Sequence, residues 1–269
     1  FNQKALLIKE YRILPAENKL IDANKSRKIV AFILAITFTC LILANFLIIA
    51  FIFNWADWVA LLIFSLLLIV PAYISNASMV ITGGGKPIDG GRSLRDGRRI
   101  LGDHKTWNGL KGPLYIGIPI SFCIFLLFNG LWLPIKDVIT DAASQGQYLL
   151  YTDIKIFEYY FVGGEFPINF LVLIIRIVLA SYGAVVGDLF GSFLKRRFNI
   201  KSGAPFWIVD QLDFALVALL FVVIPGFIAP NLFLVPDIYV IVFLLILTPA
   251  VSIIANTVAY FIGLKDVPW

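Results

Sequence analysis

Asp188, Ser192, Lys195, Arg196, Arg197, Lys201, Asp210 and Asp213 fall within one stretch of 27 residues, GDLFGSFLKRRFNIKSGAPFWIVDQLD, which runs from Gly187 to Asp213. Its three carboxylates can hold a divalent cation. Its four cations can hold phosphate. Apolar runs lead into the stretch (Asn169–Val186) and out of it (Phe214–Ile228), so this chemistry sits at a membrane surface. The combination points to nucleotide chemistry there.

The spacing predicts a single site. A helix continuing through Lys195 puts Asp188, Ser192 and Lys195 at i, i+4 and i+7, on one face. Asp210 and Asp213 are i, i+3 at the start of the next helix, where the helix dipole favours carboxylates. A membrane-flanking charge run would account for the cations alone. It does not account for three acids interleaved with them.

Membrane helices carry these groups. Of 269 residues, 60% are hydrophobic and 14% charged, and the mean hydropathy is +0.90. A soluble chain carries about a quarter charged residues. The expected fold is therefore all-α: a polytopic integral membrane protein of about six transmembrane helices with a cytoplasmic polar active-site region. The apolar runs are Ile29–Phe53, Trp58–Ile74, Leu114–Leu133, Asn169–Val186, Phe214–Ile228 and Tyr239–Ile262. The fifth is short for a span and must extend at its flanks.

Six crossings put both termini, residues 75–113 and residues 191–213 on one side. All but three of the 22 basic residues lie on that side, the exceptions being Lys136, Lys155 and Arg176. The asymmetry makes it cytoplasmic. The net charge of +5 is thus a topology signal, and no nucleic-acid partner is expected. The chain begins at Phe1 rather than Met, so an upstream residue or segment is expected. No cleavable signal peptide is recognised. Leu7, Tyr11 and Leu14 recur at helical spacing among Lys4, Lys9 and Arg12, which fits either a basic tail or an interfacial helix ending near Pro15.

Residues 75–113 hold nine of the chain's 20 glycines, so a continuous helix is excluded and close approach of backbone amides to phosphate is allowed. Gly97 and Gly102 have P-loop spacing, but Lys105 and Thr106 come two residues late and no strand precedes. Asp96–Arg99 opens like the CDP-alcohol phosphotransferase motif, but Ile100 and Leu101 break it. Cys40 and Cys123 lie in separate apolar runs and suggest neither disulfide nor metal site. His104 is the single histidine, so a Ser-His-Asp triad would have to use it.

Residues 134–167 read as a structural outer loop whose aromatics (Tyr148, Tyr151, Phe157, Tyr159, Tyr160 and Phe161) rest on the outer interface. Arg176 lies about seven residues, or about 10 Å, into the fourth span. An intramembrane charge is a functional candidate, and snorkelling to the outer interface is the alternative.

Two segments carry a family resemblance. PAYISNASMVITGGGKPIDGG with DGRRILGDHKTWNG resembles the first motif of the CDP-archaeol synthases, and GDLFGSFLKRRFNIKSGAPFWIVDQLDF resembles their second. The second is also similar to the signature of the CTP-dependent phosphatidate cytidylyltransferases. The similarity runs from Trp58 to Ile262. It implies a membrane cytidylyltransferase domain at 58–269, with 1–57 an added basic leader and first helix. It implies a CTP-dependent nucleotidyltransferase that condenses CTP with an unsaturated diether glycerol phosphate of the 2,3-bis-O-geranylgeranyl type. The products are CDP-archaeol and pyrophosphate, in phospholipid biosynthesis.

The resemblance makes Asp188, Asp210 and Asp213 the catalytic residues and the ligands of Mg²⁺ or Mn²⁺. Asn76, Asp89, Asp103, Lys105, Thr106, Ser192, Lys195 and Arg196 become substrate-binding. The partners implied are CTP, a lipid phosphate and the bilayer. The phosphatidate enzymes carry a His-Gly-Gly segment where this chain has Ala204-Pro205-Phe206, which favours the diether branch over CDP-diacylglycerol synthesis. A transporter of an anionic metabolite is the rival from another class. It would place its polar groups near the midplane between repeats, and no repeat is found.

Overall fold

The computed structural model describes residues 2–200 and 206–263, with side chains described throughout except at 2–24 and Arg27. The helices are α1 (Asn2–Ile52), α2 (Trp55–Ile81), α3 (Trp107–Gly112), α4 (Ile118–Ser144), α5 (Ile154–Val162), α6 (Asn169–Arg197), α7 (Trp207–Ile228) and α8 (Ile238–Phe261), with a π-helical turn at Pro113–Gly117. Six helical stretches are long and apolar enough to cross a membrane: Lys28–Ile52, Trp55–Ile81, Trp107–Ser144, Asn169–Arg197, Trp207–Ile228 and Ile238–Phe261. The protein is a multi-pass membrane protein. Among the described residues, extended pairing is confined to isolated bridges, Pro87 with Thr106 and Ser93 with Arg99.

Three boundaries differ from the sequence reading. α1 runs through Pro15 instead of ending there; proline costs the helix one N–H and a steric adjustment, not its helical φ. The side chains of the proposed interfacial face lie outside the described residues. The third span starts early, because α3 and the π-helical turn lead directly into α4. It also passes Pro134 and continues to Ser144.

The chain forms two compact units, Phe1–Leu41 with Ala250–Trp269, and Ile42–Pro249. In the first, Lys28 Nζ donates to the Tyr260 hydroxyl at 2.9 Å. The second contains the hydrophobic core, with Leu61, Phe64, Leu173 and Phe243 fully enclosed.

One end of this second unit is an aromatic cluster. The Phe64 ring stacks on Tyr160 at 4.4 Å and meets Phe157 and Tyr151 edge-on at 4.9 and 5.0 Å. Tyr151, Phe157, Tyr159, Tyr160 and Phe161 are all buried. They form core rather than the expected interfacial belt, because α5 folds the segment inward. Asp57, wholly enclosed in the first turn of α2, accepts the backbone N–H groups of Leu149, Leu150 and Tyr151 at 2.9–3.1 Å.

Arg176 belongs to the same cluster. It is 3% exposed and does not snorkel. Nη1 donates to the Tyr159 carbonyl at 2.7 Å and Nη2 to the Tyr160 carbonyl at 3.1 Å. These are carbonyls of the last turn of α5, where a cation is favoured by the helix dipole. The guanidinium also lies 4.9 Å from the Tyr159 ring centre and 5.3 Å from that of Phe125. Its work is structural: it ties α5 to α6.

Candidate active site

The polar end of the second unit is built on the close approach of α6 and α7. Gly183, Gly187 and Gly191 recur every four residues on α6, and each is buried. A Cβ on Gly183 would lie 2.6 Å from Ala218 Cα. One on Gly187 would collide with the Asp213 carbonyl and Phe214 Cα, and one on Gly191 with the Asp213 carboxylate. Small residues at this period let two helix backbones come together. The same stripe seats Asp213 directly on α6. Its regular spacing is legible in the sequence.

α6 continues through Lys195, as expected, and on to Arg197, so Asp188, Ser192 and Lys195 share a face. They line one cavity of about 240 Å³ together with Gly102, His104, Lys105, Arg196, Asp210 and Asp213. The three aspartates therefore converge. Two of them already have cationic partners. Lys105 Nζ lies 2.7 and 2.6 Å from the two oxygens of Asp188, and Lys195 Nζ lies 2.7 Å from Asp210 Oδ2. Asp210 Oδ2 also accepts the Phe206 N–H at 2.9 Å. The Ser192 hydroxyl accepts the Gly102 N–H at 3.0 Å. Arg196 Nε is buried with no hydrogen-bond partner among the described residues.

A second cavity of about 360 Å³ is lined by Asn76, Met79, Val80, Gly83–Gly85, Ile88, Asp103, His104, Lys105, Thr106, Gly109, Leu110, Val185, Asp188 and Leu189. His104, Lys105 and Asp188 line both. The Lys105–Asp188 ion pair thus stands where the two spaces adjoin. His104, considered from sequence only for a triad, borders both through its place beside Lys105.

The glycine-rich loop is a doubled-back hairpin. Ile88 N–H donates to the Lys105 carbonyl at 2.9 Å and Trp107 N–H to that of Lys86 at 3.1 Å. Further out, Leu94 and Ile100 pair with the carbonyls of Arg98 and Arg92 at 2.9 and 3.1 Å. Gly97 turns the tip at φ +73°, a conformation that side chains disfavour. Thr106 caps α3, its hydroxyl accepting the Gly109 N–H at 3.2 Å. It lines the larger cavity but is already engaged by this cap.

Asp89 stands apart from the other expected substrate ligands. It lines neither cavity. Its carboxylate accepts from Arg99 Nη2 at 2.6 Å and from the Gly91 and Leu101 N–H groups at 3.0 Å each. Burial pushes its pKa up, but these hydrogen bonds and the Arg99 charge outweigh that and hold it below the usual carboxylate value. Asp89 staples the hairpin. Asp103 lines the larger cavity and pairs with Arg99.

Arg197, which the sequence reading grouped with phosphate-holding cations, instead fastens the hairpin to α6. Nη1 lies 2.6 Å from Asp96 Oδ2, Nη2 donates to the Arg98 and Arg99 carbonyls, and Arg98 donates back to the Arg197 carbonyl. Lys201 and Ala204–Pro205 lie outside the described residues.

Divalent-metal binding can be judged on these contacts. Among the described residues, no three His, Cys, Asp or Glu side chains are arranged to hold a metal ion. The carboxylates as they stand do not form a closed cage, since lysines occupy two of them. The donor set does fit an ion that takes one or two protein carboxylates and completes its shell with substrate phosphates and water, as Mg²⁺ prefers.

Comparison with known proteins identifies the family. The family model described as CarS-like, CDP-archaeol synthase, matches residues 58–154 and 142–269. A CDP-archaeol synthase of Methanosarcina barkeri is 38% identical over 201 residues, covering 74% of this chain and 99% of the relative. One of Thermococcus gammatolerans is 37% identical over 215 residues, covering 80% and 95%. A solved structure described as an intramembrane enzyme for archaeal membrane lipid biosynthesis is 28% identical, with a TM-score of 0.43, and covers 74% of this chain and 92% of that one. The chain belongs to the CDP-archaeol synthase family.

Proposed function

We propose that this membrane enzyme transfers the cytidylyl group of CTP to an unsaturated diether glycerol phosphate, giving CDP-archaeol and pyrophosphate. The observation that carries the reading is the convergence of Asp188, Asp210 and Asp213 with Lys105, Lys195 and Arg196 on one small cavity, in a chain of this family.

A lipid phosphate oxygen attacks the α-phosphorus of CTP. The new bond joins the two phosphorus atoms through that oxygen. The bond from the α-phosphorus to the oxygen bridging to the β-phosphorus breaks, and pyrophosphate leaves with the electron pair. Both reactants are anions, so neutralising and aligning their charge is the main task. Lys105, Lys195 and Arg196 hold phosphate oxygens as point charges and donors. The reacting phosphates meet beside Lys105 and Asp188, where the two cavities adjoin. The nucleophile is already ionised and needs no general base. Asp188, Asp210 and Asp213 would supply the carboxylates for Mg²⁺ or Mn²⁺, and the ion would contribute neutralisation of phosphate charge.

The positive charge flanking the spans supports a cytoplasmic position for this end of the protein, on the side where CTP is available. Single cysteines at Ser93 and Ser202 are expected to react only with reagent supplied from that face. Ser202 lies outside the described residues, so its test rests on the sequence alone.

The decisive assay is pyrophosphate release from CTP by purified protein. Release is expected only with lipid phosphate present, faster with the diether phosphate than with diacyl phosphatidate, and lost in EDTA. Asp188→Asn and Asp213→Asn are expected to abolish it in folded protein, with Asp210→Asn similar or milder. Folded Asn variants turning over near the wild-type rate would remove the aspartates from the site. Equal or reversed lipid preference would move the substrate to the diacyl branch.

A further inference from the structure

We propose that Lys105 and Lys195 hold, in the nucleotide-free protein, the positions that the divalent cation takes in the working complex, so that metal is admitted only together with CTP. This rests on the reading above that Asp188, Asp210 and Asp213 bind that cation.

The geometry is that of counterions in place. Lys105 Nζ bridges both oxygens of Asp188 at 2.7 and 2.6 Å, and Lys195 Nζ sits 2.7 Å from Asp210. All four side chains are largely shielded, between 19% and 26% exposed. Asp213 is pressed against Gly191 on the same cavity wall. Three carboxylates gathered in so small a space repel one another unless cations join them. Lys105 and Lys195 answer two of them directly, and Arg196 lines the same cavity.

A dication arriving alone meets carboxylates already paired and two ammonium groups at contact distance. Displacing those groups leaves them in a partly desolvated site with no anion to receive them. The nucleotide changes this. Its triphosphate offers new oxygens to both ammonium groups, which are compact charges on flexible stems and can swing across. The carboxylates they release are then open to the metal. Lys105 borders both cavities, so it can turn from Asp188 toward phosphate on either side. Lys105 and Lys195 thereby act twice, as placeholders before binding and as phosphate ligands after it.

The test uses Mn²⁺ as probe and reads protein-bound metal as the excess Mn²⁺ on the protein side of an equilibrium-dialysis membrane, free ion and metal–analogue complex being equal on both sides, with the protein in detergent. Wild-type protein is expected to take up Mn²⁺ poorly alone and well with a non-hydrolysable α,β-methylene analogue of CTP. Lys105→Met, and the double variant with Lys195→Met, are expected to bind Mn²⁺ without nucleotide at least about tenfold more tightly than wild type, the size of one lost charge-assisted contact. Wild-type protein that binds Mn²⁺ equally well with and without the analogue would overturn the exchange while leaving the aspartate site intact. No uptake with the analogue present would overturn the metal site itself. The wild-type comparison needs no variant to fold, and Lys105→Gln repeats the variant arm with a polar side chain.

Discussion

Lys105 and Asp188, 83 residues apart in sequence, form a bidentate ion pair with both N–O distances at 2.6–2.7 Å. The contact joins the base of the glycine-rich hairpin to the polar end of α6. It also marks where the two cavities adjoin, so this one pair links loop position to the proposed place of reaction.

Removing either lysine is therefore expected to weaken the use of CTP. Lys105→Ala and Lys195→Ala each delete a charge-assisted contact worth about 1.5–3 kcal/mol, or roughly 10- to 150-fold in CTP dependence. Steady-state kinetics with CTP varied at saturating lipid measures it. An unchanged CTP dependence would leave both residues only their structural ion pairs with Asp188 and Asp210.

The glycine stripe separates packing from chemistry. Gly191→Ala puts a methyl group where the Asp213 carboxylate lies, and Gly183→Ala puts one against Ala218 Cα at the same helix contact. Both are expected to cost stability, by about 1–3 kcal/mol for overpacking. Only Gly191→Ala should also lower turnover per folded molecule severalfold or more, by displacing Asp213. Thermal unfolding with active-site-normalised rates tests this; equal normalised rates would show that Asp213's position is unimportant.

Arg197→Ala releases the hairpin from α6 by removing the contacts to Asp96, Arg98 and Arg99. The expected result is faster amide exchange across residues 92–100 and a raised KM for CTP. Protection equal to wild type would locate the fastening elsewhere.

The hairpin has an acid limit set by Asp89. Its pKa is held below the usual carboxylate value, so its contribution to order is complete above the unfolded-state value of about 3.9. That contribution is lost as pH falls through the lower folded-state value. Amide protection at Gly91 and Leu101 is expected to disappear in that acid range, and Asp89→Asn should weaken it at neutral pH. Protection that does not depend on pH or on Asp89 would contradict the staple.

At the other end of the second unit, Arg176→Leu leaves the Tyr159 and Tyr160 carbonyls without their guanidinium donors. A loss of about 1–3 kcal/mol is expected, read as a fall in Tm, with CTP dependence per folded molecule unchanged. A selective loss of CTP use at unchanged Tm would make Arg176 functional rather than structural.

Much of this protein was legible in its sequence because the relevant rules are local. Apolar run length defines the spans, and helical period puts Asp188, Ser192 and Lys195 on one face. The interleaving of acids with cations distinguishes the polar end from a merely basic flank, and the structure gathers Asp188, Asp210 and Asp213 with Lys105, Lys195 and Arg196 on one cavity. Tertiary structure decided what those faces meet. It paired Lys105 with Asp188, gave Ser192 the Gly102 N–H, turned Arg197 and Asp89 to holding the hairpin, and enclosed Arg176 over the carbonyls of α5. None of these follows from spacing, since each depends on how closely two distant backbones pack. At α6 and α7 that closeness is possible because Gly183, Gly187 and Gly191 have no Cβ to keep the helices apart.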